Sequence, residues 1–341
     1  MATAYFFNDH IPVDYMQKTV IGSWPIFYAD HGRDAIRMSV EDQAGAGADL
    51  VSDGQTRNYM VEYFSNLIQG YNCFECPIDF CNKDCGTGPV IIDRIDPDVV
   101  DDETVIEDLA YAVEISPRPV KGIITGPTTL VNCSRLDTDA YSSLYDEDLF
   151  TDLSDALVRI AKDMLDVGAH SIQIDEPFLS VGSPSHLAKY SIEYLCKRIP
   201  SDISLHVCGD VYKEIMDTIT DEDRRVFDIV MGFRGVDSVS FSFAGYPQNK
   251  MVLGQYINGR PPKKIVVGCV RTDSERVETV NEVYNLLRYA SWCAGEDNVI
   301  AAPDCGMKIL SRDIAYRKLQ VMCEAADKVA SDLDHESSLV R

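Results

Sequence analysis

Short apolar segments alternate with amphipathic helical patterns along most of the chain. Eight of these segments end in a glycine, a proline or a polar residue and predict strands over residues 19–24, 48–52, 122–125, 171–175, 203–208, 238–243, 264–270 and 299–303. Several have no polar face, which is typical of strands buried in a parallel sheet. Between them, apolar residues recur at helical spacing over about 32–46, 57–69, 147–167, 185–197, 211–219, 276–294 and 310–331.

This alternation predicts an α/β fold, a TIM (β/α)8 barrel formed by a single domain over residues 1–341. An open, doubly wound sheet is the alternative, but no glycine-rich phosphate-binding motif follows the first strand.

Two excursions interrupt the alternation of strands and helices. The first, at about 70–119, predicts an inserted cysteine-bearing lobe after the second β/α unit, and the second, at 244–262, predicts a loop over the barrel mouth.

The composition limits the kinds of partner that the chain can have. Its 341 residues include 55 acidic and 31 basic side chains, and the net charge of -24 argues against nucleic-acid and anionic membrane surfaces, because both require basic patches. No apolar stretch approaches the roughly 18 residues that span a bilayer, and no secretion signal opens the chain. We therefore expect a cytoplasmic protein whose 11 cysteines serve metals or catalysis rather than disulfides.

The fifth predicted strand ends in the sequence His206-Val207-Cys208. Side chains two residues apart in a strand point to the same face, so an imidazole and a thiol are directed to one point. These two groups suit zinc, and Cys305, after the last predicted strand, is the candidate for a third ligand. On the motif alone, buried cysteines and a satisfied core histidine are the more common explanation.

The predicted fold favours the metal over simple packing. In a barrel of this kind the carboxyl ends of the strands form the active-site face, where His206, Cys208 and Cys305 would converge. Three protein ligands leave a fourth zinc position open, as in catalytic sites. Zinc lowers the pKa of a bound thiol, so the chemistry expected is attack of a substrate thiolate on an alkyl group.

Six motifs together carry a family resemblance. They occur in the order Ile21-Gly22-Ser23-Trp24-Pro25, Arg57-Asn58-Tyr59-Met60-Val61-Glu62-Tyr63-Phe64, Gly126-Pro127-Thr128-Thr129-Leu130, Gln173-Ile174-Asp175-Glu176-Pro177, His206-Val207-Cys208 and Pro303-Asp304-Cys305-Gly306-Met307-Lys308. Over nearly the whole chain, this series resembles the catalytic half of cobalamin-independent methionine synthase, in its short, archaeal-type core form. The resemblance implies a zinc methyltransferase acting on a thiol, typically homocysteine.

The resemblance also implies roles for individual residues. Ile21 and Ser23 would hold the substrate carboxylate through a backbone group and a hydroxyl, and Asp175 would bind the substrate ammonium group. The zinc ligands implied are those already suggested by the strand ends, which are His206, Cys208 and Cys305.

Four positions depart from the family pattern. Ser242 stands where the family has a zinc-ligating glutamate, Gln55 replaces an acid that helps to bind the substrate amino group, Asp273 replaces the proton-donating histidine, and Cys133 replaces the tryptophan that stacks on the folate donor. Loss of the stacking surface favours a methylated corrinoid, free or on a carrier protein, as the methyl donor. Loss of the glutamate leaves three protein ligands or requires a substitute.

A second group of cysteines lies in the first excursion. Cys73, Cys76, Cys81 and Cys85 form a C-x2-C-x4-C-x3-C run that matches neither common ferredoxin spacing. Four thiols so close together favour a second zinc or an iron–sulfur cluster over reduced surface cysteines. One of them could instead reach the barrel mouth and replace the missing glutamate, and an iron–sulfur cluster could reduce an inactive corrinoid.

Two other functions compete with methionine synthesis. A related barrel could alkylate a different thiol, such as coenzyme M, with the same His-x-Cys and distant cysteine. Alternatively, the chain could be a non-catalytic partner of a corrinoid protein or a metal-storage module, which Gln55, Ser242 and Asp273 would favour.

Overall fold

The computed structural model describes residues 16–57, 59–72, 88–257 and 259–340. Its strands are β1 (Tyr71–Asn72), β2 (Val90–Ile91), β3 (Gly122–Thr125), β4 (Arg135–Leu136), β5 (Ile172–Asp175), β6 (Ile203–Val207), β7 (Glu214–Asp217), β8 (Glu222–Arg225), β9 (Ser238–Ser242), β10 (Lys264–Gly268) and β11 (Val299–Ala302). Its helices are α1 (Tyr28–His31), α2 (Asp34–Gly45), α3 (Met60–Leu67), α4 (Glu103–Ile115), α5 (Pro127–Asn132), α6 (Glu147–Asp166), α7 (Ser185–Arg198), α8 (Val226–Met231), α9 (Lys250–Leu253), α10 (Val280–Ala294) and α11 (Arg312–Val340).

Six parallel strands form the central sheet in the order β11-β10-β9-β6-β5-β3. β3, β5 and β11 are buried at every position, because helices or the interior cover both faces. The order of neighbours follows the order in the chain, as expected when each strand is followed by a crossover connection. The α/β class predicted from the sequence is confirmed.

The first two predicted strands are reduced to isolated backbone bridges. Lys18 pairs with Ala301 of β11, Thr19 pairs with Leu50, and Val51 pairs with Val120, just before β3, all in parallel orientation. The bridges are reinforced by hydrogen bonds such as that from the Thr19 amide to the Ala301 carbonyl, at 2.9 Å. Segments 18–19 and 50–51 therefore connect the two outer strands of the six-stranded sheet.

Helices cover the sheet through apolar faces that the sequence periodicity predicts. α6 buries ten residues along one face and begins at Asp146, whose side chain accepts a hydrogen bond from the Asp148 amide. α10 begins with a reciprocal capping box between Thr279 and Glu282. No helix in the described ranges is long and apolar enough to cross a membrane.

The predicted helix over 211–219 is wrong. An antiparallel hairpin of β7 and β8 occupies this region, and Asp217 is buried beside its turn. The Asp217 carboxylate accepts hydrogen bonds from the Ile219 amide, the Thr220 hydroxyl and the Arg224 guanidinium. These local polar bonds stabilise a turn at the expense of helix, an effect that apolar periodicity does not report.

The predicted inserted lobe at 70–119 is described only in part. β2 pairs with β1 on one side and with β4 on the other in a small separate sheet, and α4 contacts both α2 and α6. The four-cysteine run of Cys73, Cys76, Cys81 and Cys85 lies outside the described residues. The lobe and its metal therefore remain predictions. In the second excursion, α9 is flanked by short 3-10 turns at 247–249 and 254–256.

Glu176 fastens α5 to the carboxyl end of β5. This fully buried carboxylate accepts hydrogen bonds from the Thr128 amide at 2.9 Å, the Thr129 amide at 2.8 Å and the Thr129 hydroxyl at 2.6 Å. It thereby satisfies backbone donors at the start of α5 that have no partner within the helix. Burial raises the pKa of Glu176 to about 7, although the hydrogen bonds oppose this change.

We predict that Glu176→Ala lowers the free energy of unfolding by about 2–4 kcal/mol, because two buried amides lose their acceptor. Urea denaturation of the purified variant measures this loss. The control is Glu114→Ala, at an exposed position of α4, for which a change below about 0.5 kcal/mol is expected. Equal stabilities of the two variants would contradict the role given to Glu176.

Candidate metal and substrate site

Three soft donor groups meet at the carboxyl ends of two strands. A ring nitrogen of His206 and the sulfur atoms of Cys208 and Cys305 all lie within 4.8 Å of one another. His206 is the fourth residue of β6, Cys208 follows that strand directly, and Cys305 follows β11. The alternation of side chains along β6 accounts for the first two, since residues 206 and 208 project from the same face.

His206 has one ring nitrogen held by the protein and one left over. Nδ1 lies 3.1 Å from the Ser240 hydroxyl of β9, while Nε2 is buried and has no hydrogen-bond partner of regular geometry among the described residues. A buried nitrogen without a partner costs free energy unless something binds it. An imidazole nitrogen fixed through its other nitrogen, next to two thiols, is a donor set that fits zinc.

The electrostatics of the two cysteines differ. The hydrogen bond from the Cys305 thiol lowers the pKa of Cys208, and the same bond holds the pKa of Cys305 well above its usual value. Burial acts to lower the pKa of His206, but Cys305 and Asp175 outweigh it and raise that pKa. Cys208 is therefore the thiol of the pair that releases its proton first.

Asp304 fixes the loop that faces the donor groups. Its carboxylate accepts hydrogen bonds from the amides of Phe243 at 2.9 Å, Ala244 at 3.1 Å and Gly245 at 2.6 Å. Its own carbonyl accepts a hydrogen bond from the Ser242 hydroxyl at 2.9 Å. Ser242 thus borders the site but uses its proton on the backbone beside Cys305, and it does not offer the charge of a carboxylate ligand.

The donor groups open into a cavity of about 540 Å³. The candidate metal ligands and substrate-binding residues predicted at the strand ends all line this cavity, together with two of the positions that depart from the family pattern. The residues are Ile21, Ser23, Gln55, Asp175, His206, Cys208, Ser242, Asp273 and Cys305. Gly306 is required here by close packing, since a β-carbon at this position would overlap the Ser23 hydroxyl. The absence of a side chain at residue 306 therefore lets the Ser23 hydroxyl lie against Gly306, the residue after Cys305.

Gln55 and Asp175 lie on the same cavity but in different environments. The backbone of Gln55 is in the left-handed region, with φ of 45°, and its backbone N–H donates to the Asp53 carboxylate at 2.9 Å. Burial raises the pKa of Asp53 to about 6. Asp175 is buried to 5% exposure, and burial also raises its pKa. A cationic ligand group would favour the ionised form of Asp175.

Asp273 lines the cavity but is exposed. Its carboxylate forms two hydrogen bonds with the Arg271 guanidinium, at 2.8 and 2.9 Å, and its side chain is 62% exposed. The Arg271 hydrogen bonds hold the pKa of Asp273 below its usual value. The group is thus a carboxylate at neutral pH, and its pKa is not raised, as a proton donor at this position would require.

The sequence reasoning gave no role to several residues of the site. Lys308 lines the cavity, its ammonium group donates to the Gln55 carbonyl at 2.9 Å, and burial lowers its pKa to about 8. It is the one lysine or arginine among the described lining residues. Lys121 and Gln173 lie in the buried floor next to Asp175. A lysine within the otherwise apolar start of a strand was the available signal for Lys121.

Comparisons with known proteins agree with this geometry. The family described as "Cobalamin-independent synthase, Catalytic domain" matches residues 26–328. A methionine synthase of Methanothermobacter marburgensis is 35% identical over 337 residues, covering 92% of this chain and 100% of that protein. A methionine synthase of Methanocaldococcus jannaschii is 30% identical over 340 residues, covering 91% and 98%.

Solved structures resemble the fold. A B12-independent methionine synthase from Shewanella sp. W3-18-1, in complex with selenomethionine, superposes with a TM-score of 0.78 at 22% identity and covers 94% of this chain and 99% of that chain. A B12-independent methionine synthase from Listeria monocytogenes, described as putative, gives a TM-score of 0.68 at 18% identity, with 92% and 96% covered. At these identities the structures support the fold alone.

Proposed function

This chain belongs to the cobalamin-independent methionine synthase family, through its catalytic domain, and we propose that it methylates the sulfur of homocysteine to give methionine. It is a methyltransferase that acts on a thiol, as its methionine synthase relatives indicate. The observation that carries the proposal is the meeting of His206, Cys208 and Cys305 at the floor of one cavity. A cytoplasmic location belongs to the proposal as well.

The closed (β/α)8 barrel is the fold that we propose around this site. In a flat sheet, β6 and β11 would stand about 14 Å apart, because two strands lie between them. The donor atoms at the ends of these strands nevertheless lie within 4.8 Å of one another, which supports a curved sheet. The parallel bridges through segments 18–19 and 50–51 support closure of the curved sheet.

Zinc is the metal that we propose for the three donors, with His206 bound through Nε2 and the cysteines as thiolates. When bound, the metal would lower the pKa of a substrate thiol that enters the open position. Ser240 keeps the imidazole in the orientation that presents Nε2. Ser242 occupies the position of the family's zinc-ligating glutamate, but it carries no charge and its hydroxyl donates to the Asp304 carbonyl. We therefore propose three protein ligands.

The remaining cavity residues would hold the amino-acid part of homocysteine. Asp175 is the buried anion that would pair with the substrate ammonium group, and the backbone of Ile21 with the Ser23 hydroxyl would receive the carboxylate. Gln55 can contribute a hydrogen bond but no charge. The sulfur of the same molecule would then point to the metal donors.

We propose a methylated corrinoid, free or on a carrier protein, as the methyl donor. The cavity mouth exposes large apolar side chains to solvent, which are Tyr59, Val181, Tyr246 and Ile309. Cys133, at the end of α5, does not line the cavity, so it supplies no stacking surface for a pterin. An exposed apolar rim suits a large donor that approaches from outside. The carboxylate character of Asp273 agrees with a donor that needs no protonated leaving group.

The four-cysteine run extends the proposal beyond the described residues. Its spacing supports a second zinc or an iron–sulfur cluster held by Cys73, Cys76, Cys81 and Cys85. Metal analysis can separate this site from the first one.

We predict that Cys208→Ser and Cys305→Ser each lose about one equivalent of zinc, because a hydroxyl is a much poorer zinc ligand than a thiolate. Mass spectrometry of metals in the purified proteins gives the count. Cys293→Ser, at a buried thiol of α10 outside the cavity, is the control and retains the metal. Cys76→Ser tests the second site separately.

Retention of full zinc content in both Cys208→Ser and Cys305→Ser would contradict the metal assignment. Loss of metal from the Cys293→Ser control would attribute the effect to general damage rather than to a lost ligand.

We also predict methyl transfer from methylcobalamin to homocysteine in preference to coenzyme M, because Asp175 provides an anion for an ammonium group that coenzyme M lacks. Asp273→Asn should retain activity within about threefold, since this carboxylate is already ionised. Product analysis by mass spectrometry measures both rates. Preference for coenzyme M would favour the alternative alkyltransferase, and turnover of neither thiol would favour a non-catalytic partner of a corrinoid protein.

A further inference from the structure

A chain of buried polar groups runs beneath the cavity. Lys121, 3% exposed, donates from Nζ to the Gln173 carbonyl oxygen Oε1 at 2.6 Å and also to the backbone carbonyl of Val20. Gln173, 1% exposed, donates from Nε2 to the Ile21 carbonyl at 2.7 Å and to Asp175 Oδ1 at 2.6 Å. This series of polar groups therefore links residue 121, just before β3, and β5 to the segment that follows residue 19.

The lysine determines which way the glutamine amide faces. An ammonium group can only donate hydrogen bonds, so the atom that contacts Lys121 must be the amide oxygen of Gln173. The NH2 group is then directed to Ile21 and Asp175, and both of its protons are used. A rotated amide would place an oxygen against a carbonyl and a carboxylate, which is unfavourable in a buried site.

The two residues that accept these hydrogen bonds, Ile21 and Asp175, both line the cavity. In the proposed function the backbone N–H of Ile21 would donate to the substrate carboxylate, and Asp175 would pair with the ammonium group of the same molecule. Gln173 is the side chain that donates a hydrogen bond to Asp175 among the described residues. Its two bonds therefore fix the separation of the two substrate-binding groups.

We propose that Gln173, oriented by Lys121, is a positioning residue that holds Asp175 and Ile21 at the spacing needed for an amino-acid thiol and so sets the preference for a substrate with an amino group. The inference rests on the proposed function for the identity of that substrate. It is distinct from a structural role, which would affect every thiol equally.

Binding of two thiols separates these roles. Homocysteine and 4-mercaptobutyrate differ by the amino group, and calorimetry with the zinc-loaded protein gives both dissociation constants without turnover. We expect the wild type to bind homocysteine more tightly. Gln173→Glu replaces a donor to Asp175 with a second carboxylate of similar shape, so the affinity ratio should fall about tenfold or more. Affinity for 4-mercaptobutyrate should change by less than about threefold.

A second variant tests the same preference in case Gln173→Glu does not fold. The double variant Lys121→Met with Gln173→Met removes the ammonium group and the amide together, so neither of these two groups is left buried without the other, while Asp175 loses its donor. It should lose the same preference. The control is Lys263→Met, at a buried lysine that donates to the Phe233 carbonyl away from the cavity, and it should keep the wild-type ratio.

The inference is overturned if both variants keep the wild-type ratio, if both thiols lose affinity by the same factor, or if the wild type shows no preference for homocysteine. A wild type that prefers homocysteine but transfers no methyl group would instead remove the proposed reaction and leave the positioning role intact.

Discussion

The structure depends on bringing one imidazole nitrogen and two sulfur atoms within 4.8 Å of one another from distant parts of the chain. His206 and Cys208 come from one strand end, and Cys305 comes from a strand three places away in the sheet. In the closed barrel proposed above, the curvature of the parallel sheet brings these ends together. The same curvature would then bury the apolar strands and set the spacing of the donors.

Around these donors, the protein holds polar groups in place by using backbone atoms of neighbouring segments. Asp304 binds three consecutive amides, and Glu176 binds the first amides of α5. Two segments at this end of the sheet are thus tied to strand ends by buried carboxylates. Such charges are costly to bury, and burial raises the pKa of Asp304 and of Glu176 to about 7. The hydrogen bonds of these carboxylates offset part of this cost and make the site rigid before a ligand binds.

Much of the fold could be predicted from the sequence, because buried parallel strands and amphipathic helices leave clear patterns. β3 begins and ends where the apolar segment does, whereas segments 19–24 and 48–52 pair at single residues only. The hairpin after Cys208 was missed because the side chain of Asp217 stabilises its turn, and hydrophobic periodicity cannot register that effect.

The composition of the site was less accessible. The motif spacing predicted the metal donors, since residues 206 and 208 must share a face of a strand. Lys121 and Gln173 could not be placed, because their contacts with each other, with Val20 and with Ile21 join segments more than 50 residues apart. The ion pair with Arg271 keeps Asp273 in its ionised form, whereas a proton donor must carry a proton. This ion pair depends on a side-chain contact, which the alignment of Asp273 with a family residue does not reveal.

Zinc K-edge X-ray absorption of the Cys76→Ser protein, with and without homocysteine, tests whether zinc binds these three donors and leaves a position open for the substrate sulfur. This variant is chosen so that metal bound to the four-cysteine run does not add to the signal. A zinc ion on His206, Cys208 and Cys305 should show two sulfur neighbours at about 2.3 Å in the protein alone and three after homocysteine is added. A sulfur count that does not rise with homocysteine, or a spectrum without two cysteine sulfurs at the outset, would contradict it.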